Sequence, residues 1–318
     1  MLLYNTIAIA IGFGLDALLG DPHGWPHLVV GYGKLISLLE KLCYDWKNKR
    51  LAGAVLVLCM LLFSAGSAGL VLYLCALIHP VVYVIAGGIL CWQCLAARSL
   101  KVESERVYTA LKEGGLQSGR DAVAMIVGRD VNVLDGDGVV RAAVETVAEN
   151  TSDGEIAPLL YMAVFGPAGG CVYKAINTMD SMIGYRTERS ERFGTVAAKL
   201  DDVANFIPAR LAALVMMVAS AAVGLDASGG YRIWKRDRYK HASPNSAQTE
   251  SVMAGALGVR LAGDAVYGGV VHKKEYIGDD LRPIEPEDIH RSQDLMTVTS
   301  VLAFAAAVIV RIAVYRIP

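Results

Sequence analysis

Residues 52–97 read AGAVLVLCMLLFSAGSAGLVLYLCALI followed by HPVVYVIAGGILCWQCLAA, and they contain no Asp, Glu, Lys or Arg. A helix needs about 20 mostly apolar residues to cross a bilayer. The run is long enough for two such helices, and His79-Pro80 near its middle is typical of a tight turn. The sequence therefore predicts two antiparallel spanning helices, over 52–78 and 79–97.

The composition of the whole chain also indicates a membrane protein. Of its 318 residues, 54% are hydrophobic and 19% are charged, against roughly 45–50% and about 25% in soluble domains. Residues 2–20 and 296–315 are two further runs of spanning length, and the first lacks the positive start of a signal peptide. We therefore predict an all-α fold, a polytopic integral membrane helical protein with four spanning helices. The net charge of −1 argues against nucleic acid as a partner bound through bulk charge.

Two other apolar stretches are poor candidates for a simple span. Residues 156–173 contain two prolines and three glycines, which interrupt a helix, and residues 204–225 are free of charge only after Arg210. Irregular backbone is tolerated at membrane depth where protein buries it or water reaches it. We predict one or two re-entrant or broken helices here.

The basic segments between the spans predict the orientation. Lys and Arg are concentrated in 21–51, 98–141, 174–199 and 232–240, and short basic loops remain on the cytoplasmic side. We predict one membrane-embedded domain over 1–318 in the inner (cytoplasmic) membrane of the cell, with its N-terminus outside. A helical insert at 98–150 and a loop-rich segment at 226–295 would lie in the cytoplasm, and the active site would face it.

The six cysteines are assigned to packing. Cys91 and Cys94 form a CxxC pattern, but Trp92 lies between them in an apolar segment, and no second pair accompanies them. A free cysteine in such a setting behaves as a small hydrophobic residue. Metal or redox use is the less favoured reading.

The segment ETVAENTSDGEIAPL (145–159) places Glu145, Glu149 and Asp153 at positions i, i+4 and i+8, directly before an apolar run. On a continuous helix these carboxylates would form one stripe. Clustered carboxylates at a helix end suit Mg²⁺, which completes its shell with water and substrate phosphates. A solvated helix face is the alternative.

Three further clusters combine polar and ionisable residues with apolar ones. Polar side chains at membrane depth are costly and are usually functional, whereas adjacent acids near a helix start are also favoured by the helix dipole alone. The segment GDPHGWPH (20–27) is compatible with a simple surface turn, and SPN (243–245) can begin a helix that binds an anion. MAGALGVRLAG (253–263) is compatible with close helix packing alone. The polar residues of these clusters are Lys174, Asn177, Asp180, Ser181 and Arg186 in 173–194, Asp201, Asp202, Asn205 and Arg210 in 199–211, and His241, Ser243 and Asn245 in 239–269.

Taken in order, five of these strings resemble a known family. GDP…PH, ETVAENTSDGEIAPLLY, GGCVYKAINTMDSMIGYR, FGTVAAKLDDVANFIPARL and HASPNSAQTESVMAGALGVRLAG are similar to the cobinamide-phosphate synthase family, the CbiB/CobD membrane proteins of cobalamin biosynthesis. The resemblance extends from about residue 12 to 295. It departs from the family pattern at Ala262, where a glycine is common.

The resemblance implies an ATP- and Mg²⁺-dependent amide ligase, an adenosylcobinamide-phosphate synthase. Such an enzyme joins adenosylcobyric acid to (R)-1-amino-2-propanol or its O-phosphate. A carboxylate must be activated before an amine attacks it, and phosphoryl transfer from ATP depends on positioning and charge stabilisation. On this basis we expect Glu145, Glu149 and Asp153 to form the metal and nucleotide site, with Asp201 and Asp202 as competitors.

The same resemblance implies roles for the other polar residues. Cationic side chains would contact phosphate oxygens, and amides and hydroxyls would position substrate. His241 or a carboxylate would accept the amine proton. The cations are Lys174, Arg186 and Arg210; the positioning residues are Asn150, Asn177, Asp180, Ser181, Asn205, Ser243 and Asn245.

Two rival functions use the same residues. Intramembrane acids and broken helices also build ion-coupled transporters, although their matching pair of interrupted segments in two halves is absent from this sequence. A non-catalytic regulatory relative of the same fold is the second rival. The lipid bilayer is the expected partner in every case, and the resemblance also allows a homo-oligomer or a complex with other cobalamin-assembly enzymes.

Overall fold

A computed structural model describes residues 1–22, 24–184 and 192–315. The described residues are mostly helical. Among them are thirteen α-helices: α1 (Leu2–Leu19), α2 (Leu28–Cys43), α3 (Lys49–Ile78), α4 (Pro80–Trp92), α5 (Ala97–Val123), α6 (Gly136–Asn150), α7 (Ala157–Phe165), α8 (Pro167–Met179), α9 (Thr195–Ala204), α10 (Phe206–Ala222), α11 (Ala227–Asp237), α12 (Ser246–Leu257) and α13 (Glu287–Tyr315). Two π-helical segments cover Thr151–Ile156 and Asp180–Gly184.

Four short strands correct the all-α prediction. Strand β1 (Leu261–Ala262) pairs antiparallel with β4 (Tyr276–Ile277), and β2 (Ala265–Tyr267) pairs antiparallel with β3 (Val270–His272). All four lie in the segment predicted to be loop-rich, 226–295. That segment also contains helices α11 and α12, so it is more ordered than its glycine content indicates.

Among the described residues, four helical segments are long and apolar enough to cross a membrane, and they coincide with the four predicted spans. They are Leu2–Leu19, Lys49–Ile78, the segment Pro80–Val123 that includes α4, and Glu287–Ala313. Helices α9 and α10 pass the same test only as a bent pair. Large apolar side chains remain exposed along the spans, as at Leu62, which keeps 65% of its surface. A bilayer would cover such side chains.

Local signals at helix ends are largely confirmed. Helix α3 ends at Ile78, and the His79 ring accepts the amide of Val81 to cap α4. Within the predicted helical insert at 98–150, Gly115 has a φ of 76°, which breaks α5. The apolar stretch 156–173 is interrupted at Gly166, between α7 and α8. Whether it or 204–225 is re-entrant stays a prediction.

The chain groups into two compact units, where the sequence predicts a single domain. The first consists of Met1–Ala96, Ala157–Asn205 and Phe304–Pro318, and the second of Ala97–Ile156 and Phe206–Ala303. The predicted insert at 98–150 and segment at 226–295 both fall within the second unit.

The first unit is held together by close helix contacts and buried aromatic residues. Helices α1 and α4 approach closely at Gly88, where a Cβ would lie 2.7 Å from Ile11 Cγ2. Tyr32 and Tyr173 are 1% and 0% exposed in its larger apolar cluster. All six cysteines are free, and Cys91, Cys94 and Cys171 are buried in apolar packing, as predicted.

Arg311 anchors the end of α13 in the first unit. Its guanidinium is buried and donates to Thr6 Oγ1 at 2.9 Å, to the Leu2 carbonyl at 3.2 Å, to the Met162 carbonyl at 3.3 Å and to the Ala163 carbonyl. The last two carbonyls belong to the final turn of α7; the Met162 carbonyl also accepts the Gly166 amide at 2.8 Å. A cation in an apolar span is therefore satisfied by backbone oxygens.

The second unit is built around α12, every residue of which is buried. Helices α11 and α12 pack through glycine: a Cβ on Gly229 would lie 2.6 Å from the Gly255 carbonyl oxygen. The polar Gln248 is satisfied because the Trp234 indole donates to it at 2.9 Å. Helix α6 buries its apolar side in the same core, with Val144 and Val147 fully covered.

Candidate functional site

Helix α6 carries two of the predicted carboxylates in the second unit. It begins after Asp135, whose side chain accepts the amide of Gly138 at 2.7 Å. Its apolar residues face the core, and Glu145 and Glu149 lie one turn apart at the partly covered side. Their pairing on one helix face was predicted from the spacing.

Glu145 is fixed by two strong contacts. Its Oε2 accepts from Arg129 Nη2 at 2.8 Å, and its Oε1 accepts the backbone amide of Ala262 at 2.7 Å. Both side chains of the ion pair are largely covered. Charge-assisted bonds of this kind are among the strongest in proteins. Glu145 therefore ties α6 to strand β1.

Glu149 is held on one side only. Ser246, the first residue of α12, donates its hydroxyl to Glu149 Oε1 at 2.9 Å. Glu149 Oε2 receives no hydrogen bond from the described residues. One oxygen of this carboxylate thus stays available to a ligand.

Glu250 completes the group, and sequence reasoning missed it. It lies one turn after Ser246 and is 5% exposed, and its Oε2 has no hydrogen-bond partner among the described residues. Burial raises the pKa of its carboxyl well above the usual range, and the charges of Glu149 and Glu145 raise it further, against the opposing Lys274 and Arg129. We call Glu145, Glu149 and Glu250 the glutamate cluster.

His241 interacts electrostatically with Glu149 and Glu145 of the glutamate cluster. Burial lowers the pKa of its imidazole, and Lys274 lowers it further, while Glu149 and Glu145 act in the opposite direction. The ring is therefore neutral at pH 7. Its Nδ1 accepts the amide of Ser243 at 3.0 Å, which leaves the proton of the neutral ring on Nε2.

The SPN turn leads into α12 as predicted. The hydroxyl of Ser243 accepts the amide of Asn245 at 3.3 Å, and Asn245 precedes the first residue of the helix. Arg210 donates to Asn245 Oδ1 at 3.3 Å. The structure thus brings Arg210, Ser243 and Asn245 together in the second unit.

Asn150 and Asp153 follow Glu149 at the end of α6 and in the π-helical segment. Asn150 donates its amide to the carbonyl of Thr146 at 3.0 Å. Asp153 lies on the π-helical segment, where the wider turn changes the i, i+4 relation. In the described part of the chain, no three His, Cys, Asp or Glu side chains are placed to hold one metal ion. The metal role of the individual carboxylates stays a prediction.

A separate set of predicted residues surrounds a cavity of about 550 Å³ in the first unit. Lys174 lines it and is only 9% exposed, together with Asn177 and Ser181. Asp21, Pro22, Gly24, Trp25 and His27 of the GDPHGWPH segment also line it, and His27 Nε2 lies 3.1 Å from Asp21 Oδ1. That segment was noted in the sequence, but its residues were not assigned to a site. We call this the lysine cavity.

Asp180 begins the second π-helical segment, and Asp201 belongs to a buried hydrogen-bond network with Asn205 and Tyr173. Asn205 donates to Asp201 Oδ2 at 2.9 Å, and the Tyr173 hydroxyl donates to Asn205 Oδ1 at 2.8 Å. Asp201 and Asn205 are nearly inaccessible, while Asp202 next to them is half-buried. Buried hydrogen bonds of this kind help to fix the packing of α8 against α9. Arg186 lies outside the described residues.

Comparison with known proteins identifies the family. The sequence profile described as CobD/Cbib protein matches residues 9–296. The chain belongs to the CobD/CbiB family. One relative, named cobalamin biosynthesis protein CobD of Streptococcus sanguinis, is 44% identical over 308 residues, covering 94% of this chain and 96% of that protein. The protein of the same name in Geobacter metallireducens is 48% identical over 272 residues, covering 85% and 86%. No solved structure matches the chain.

Membership in the CobD/CbiB family confirms the resemblance read from the sequence. The matched region contains both the glutamate cluster and the lysine cavity. Glu250 lay within the quoted string HASPNSAQTESVMAGALGVRLAG, as the one acid among small and apolar residues. That isolation was the signal that could have found it, since a lone acid in a buried helix is usually functional or paired.

Proposed function

We propose that the chain is an ATP- and Mg²⁺-dependent amide ligase of cobalamin biosynthesis. It would join adenosylcobyric acid to (R)-1-amino-2-propanol or its O-phosphate and so form adenosylcobinamide or its phosphate. Family membership and the names of the relatives support the pathway. The structural observation that carries the chemistry is the buried carboxyl of Glu250, with one unpartnered oxygen, beside Glu149.

The proposed reaction has two steps. A carboxylate oxygen of the corrinoid attacks the γ-phosphorus of ATP, which forms an acyl phosphate and releases ADP. The amine then attacks the acyl carbon, loses a proton, and expels inorganic phosphate to leave the amide. The chain must therefore bind polyphosphate, exclude water from the acyl phosphate and accept one proton.

Glu149 fits the magnesium ion of this reaction. Mg²⁺ is usually bound by one or two carboxylates together with water and substrate phosphates, and Glu149 has one oxygen that no described residue uses. Glu145 fits less well, because Arg129 and the Ala262 amide occupy both of its oxygens. When bound, the ion would offset charge on the phosphate oxygens.

Glu250 is the better acceptor for the amine proton. Its raised pKa makes the ionised carboxylate a stronger base than an ordinary glutamate, and only the fraction of the protein in which Glu250 has lost its proton can accept the proton of the amine. The competing candidate, His241, already uses its Nδ1 to accept the amide of Ser243. Neutral His241 would instead present its Nε2–H as a donor to a substrate oxygen.

The remaining predicted residues supply binding groups. In the first unit, Lys174 with Asn177 and Ser181 would bind an anionic substrate group in the lysine cavity. In the second unit, Arg210 and Asn245 would position substrate near the start of α12. Asp201 is buried and accepts the Asn205 amide through Oδ2, which is compatible with a structural role.

ADP release by the detergent-purified protein tests the proposal. We expect release only when adenosylcobyric acid and the aminopropanol or its phosphate are both present. A transporter or a regulatory relative would show no such double dependence. ADP release that ignores the corrinoid, or no release under any condition, would contradict the ligase assignment.

Glu149→Gln is the matched variant for this assay. It preserves the shape of the side chain and can still accept the Ser246 hydroxyl, but it removes the negative charge. We expect turnover to fall at least about 100-fold, the order found for loss of one electrostatic group, with an unchanged unfolding temperature. Near-normal turnover would remove Glu149 from the site.

A further inference from the structure

A second cavity in the second unit has a lining rich in arginine. Its volume is about 460 Å³, within the range of small-molecule sites, and Arg141, Arg260 and Arg282 all line it. Asp137 and Asp280 contribute the negative charges of the lining, and the segment 280–284 forms one wall. None of these residues belongs to the glutamate cluster or the lysine cavity.

The three guanidinium groups are not equally engaged. Arg282 donates to both oxygens of Asp288, at 2.5 and 2.9 Å, and to the carbonyl of Leu257 at 3.0 Å. These hydrogen bonds hold Arg282 in the segment 280–284 that forms the cavity wall. Arg141 forms no hydrogen bond or ion pair with the described residues, although its Nε is buried.

Arg260 is only loosely paired. Its nearest carboxylate oxygen, on Asp280, is 3.4 Å away, and the two side chains are 40% and 59% exposed. Exposed pairs of this kind contribute about 0–1 kcal/mol. The Nε of Arg260 is also buried and has no hydrogen-bond partner among the residues that the structure describes, while its guanidinium lies over the Tyr276 ring at 4.2 Å. Two arginines with buried, unused donors thus face one cavity.

The cavity adjoins the glutamate cluster along the chain. Arg141 lies four residues before Glu145 on α6, which places them on one helix face about 6 Å apart along the axis. Arg260 lies two residues before Ala262, whose amide binds Glu145. Arg141 therefore lies on the helix that carries Glu145 and Glu149, and Arg260 directly precedes strand β1.

We infer that Arg141 and Arg260 bind the polyphosphate of a nucleoside triphosphate in this arginine cavity. The guanidinium fork matches phosphate oxygens, and donors that water reaches poorly gain most from an anionic ligand. Because its ion pair with Asp280 is exposed and weak, Arg260 could exchange Asp280 for a phosphate group at little cost in free energy. Asp137 lies at the exposed start of α6 and limits the affinity for a bare anion. The inference rests on the proposed use of ATP.

Calorimetric titration of the full-length protein in detergent tests this site with two probes, Mg²⁺-ATP and inorganic tripolyphosphate. We expect the wild type to bind both, and tripolyphosphate to compete with ATP. Arg141→Gln and Arg260→Gln should each raise both dissociation constants at least about tenfold, as expected for loss of a charge-assisted pair. Lys235→Gln removes an exposed cation of the same unit and should change neither by more than about twofold.

Separate variants keep the test valid if one substitution unfolds the protein. Arg141→Lys keeps the charge but loses the fork, and it should bind with intermediate affinity. Unchanged binding in both glutamine variants, or no binding of either probe by the wild type, would overturn the inference. Arginine-dependent binding without corrinoid-dependent ADP release would instead refute the ligase function and leave the phosphate site standing.

Discussion

Glu250 is a buried acid whose protonation should affect folding as well as catalysis. Burial and its acidic neighbours raise the pKa of its carboxyl above the unfolded value. The folded state then holds this proton over a pH range in which the unfolded state has lost it. The stability associated with the protonated carboxyl is complete below the unfolded pKa, near 4.5, and is lost as pH rises toward the folded pKa.

Glu250→Gln should therefore weaken the pH dependence of stability. We expect the free energy of unfolding of the variant to rise relative to that of the wild type as pH rises from 5 to 8. The difference should change with a slope approaching about 1.4 kcal/mol per pH unit. Thermal unfolding in detergent at pH 5, 6.5 and 8 measures this difference. Glu113→Gln, at an exposed carboxylate of α5, is the control. Parallel curves for the wild type and Glu250→Gln would show that Glu250 is not protonated in the folded protein.

Ala262 holds a backbone conformation that favours glycine. Its φ is 59°, and it is the one non-glycine residue with positive φ among the described residues. The left-handed region costs an alanine roughly 1–2 kcal/mol. Replacement by glycine removes this cost, but the greater conformational freedom of glycine in the unfolded chain offsets part of the gain in stability. The strain sits where the Ala262 amide binds Glu145.

Ala262→Gly should stabilise the protein by up to about 1 kcal/mol and keep the amide contact to Glu145. The neighbouring Gly263→Ala should do the reverse, because its φ is 89° and its Cβ would meet Tyr276 Cζ at 2.7 Å. Chemical unfolding midpoints of the two variants measure the contrast. Destabilisation by Ala262→Gly would mean that the alanine methyl group contributes packing that outweighs the strain.

The individual site residues were only partly predictable from the sequence. Glu145 and Glu149 could be paired because i, i+4 spacing on a helix is a local relation. Glu250 could be noticed as the one acid of its string, but its position beside Glu149 could not be predicted, since that depends on how α12 packs with residues about a hundred positions away. Arg129 and the Ala262 amide were missed for the same reason, and with them the engagement of both oxygens of Glu145.

At the scale of elements, the contact between α11 and α12 depends on glycine. A Cβ on Gly255 would overlap the carbonyl oxygen of Gly229 and lie 2.9 Å from Gly230 Cα. Since backbone atoms cannot move aside easily, the helices would have to separate. Helix α12 begins next to the glutamate cluster, so its displacement would move Ser246 and Glu250.

Gly255→Ala should cost about 1–3 kcal/mol of stability, the usual range for overpacking, and should lower turnover as well. Gly136→Ala is the matched control in the same unit, because a Cβ there meets nothing within 4 Å. Thermal unfolding and ADP release measured on both variants separate the two cases. Equal stability of Gly255→Ala and the wild type would show that α11 and α12 do not pack as closely as described.

The helix ends could be predicted from the sequence better than the strands could. The break at Gly115, the cap at Asp135 and the helix start after SPN are set by neighbouring residues. Strand β1 pairs with β4 across the intervening hairpin, with Leu261 opposite Ile277. Such short strands have no periodic pattern of their own, so tertiary contacts determine them. The π-helical segment after Asn150 is likewise invisible to i, i+4 counting.

At the scale of the whole molecule, hydropathy predicted the spans because lipid exposure acts on every side chain of a helix. The division into two units follows from chain contacts that no local pattern records. The predicted site residues fall into both units, with the glutamate cluster in the second and the lysine cavity in the first. Their convergence in a single pocket stays a prediction.

The fate of one oxygen atom tests the ligase account most directly. Adenosylcobyric acid labelled with ¹⁸O in its reacting carboxylate is incubated with the protein, Mg²⁺, ATP and aminopropanol phosphate. Attack of that carboxylate on ATP must transfer one labelled oxygen to the inorganic phosphate that the amine later displaces. We predict one ¹⁸O in each phosphate formed with product, measured by mass spectrometry. Unlabelled phosphate, or label recovered in AMP, would contradict activation through an acyl phosphate.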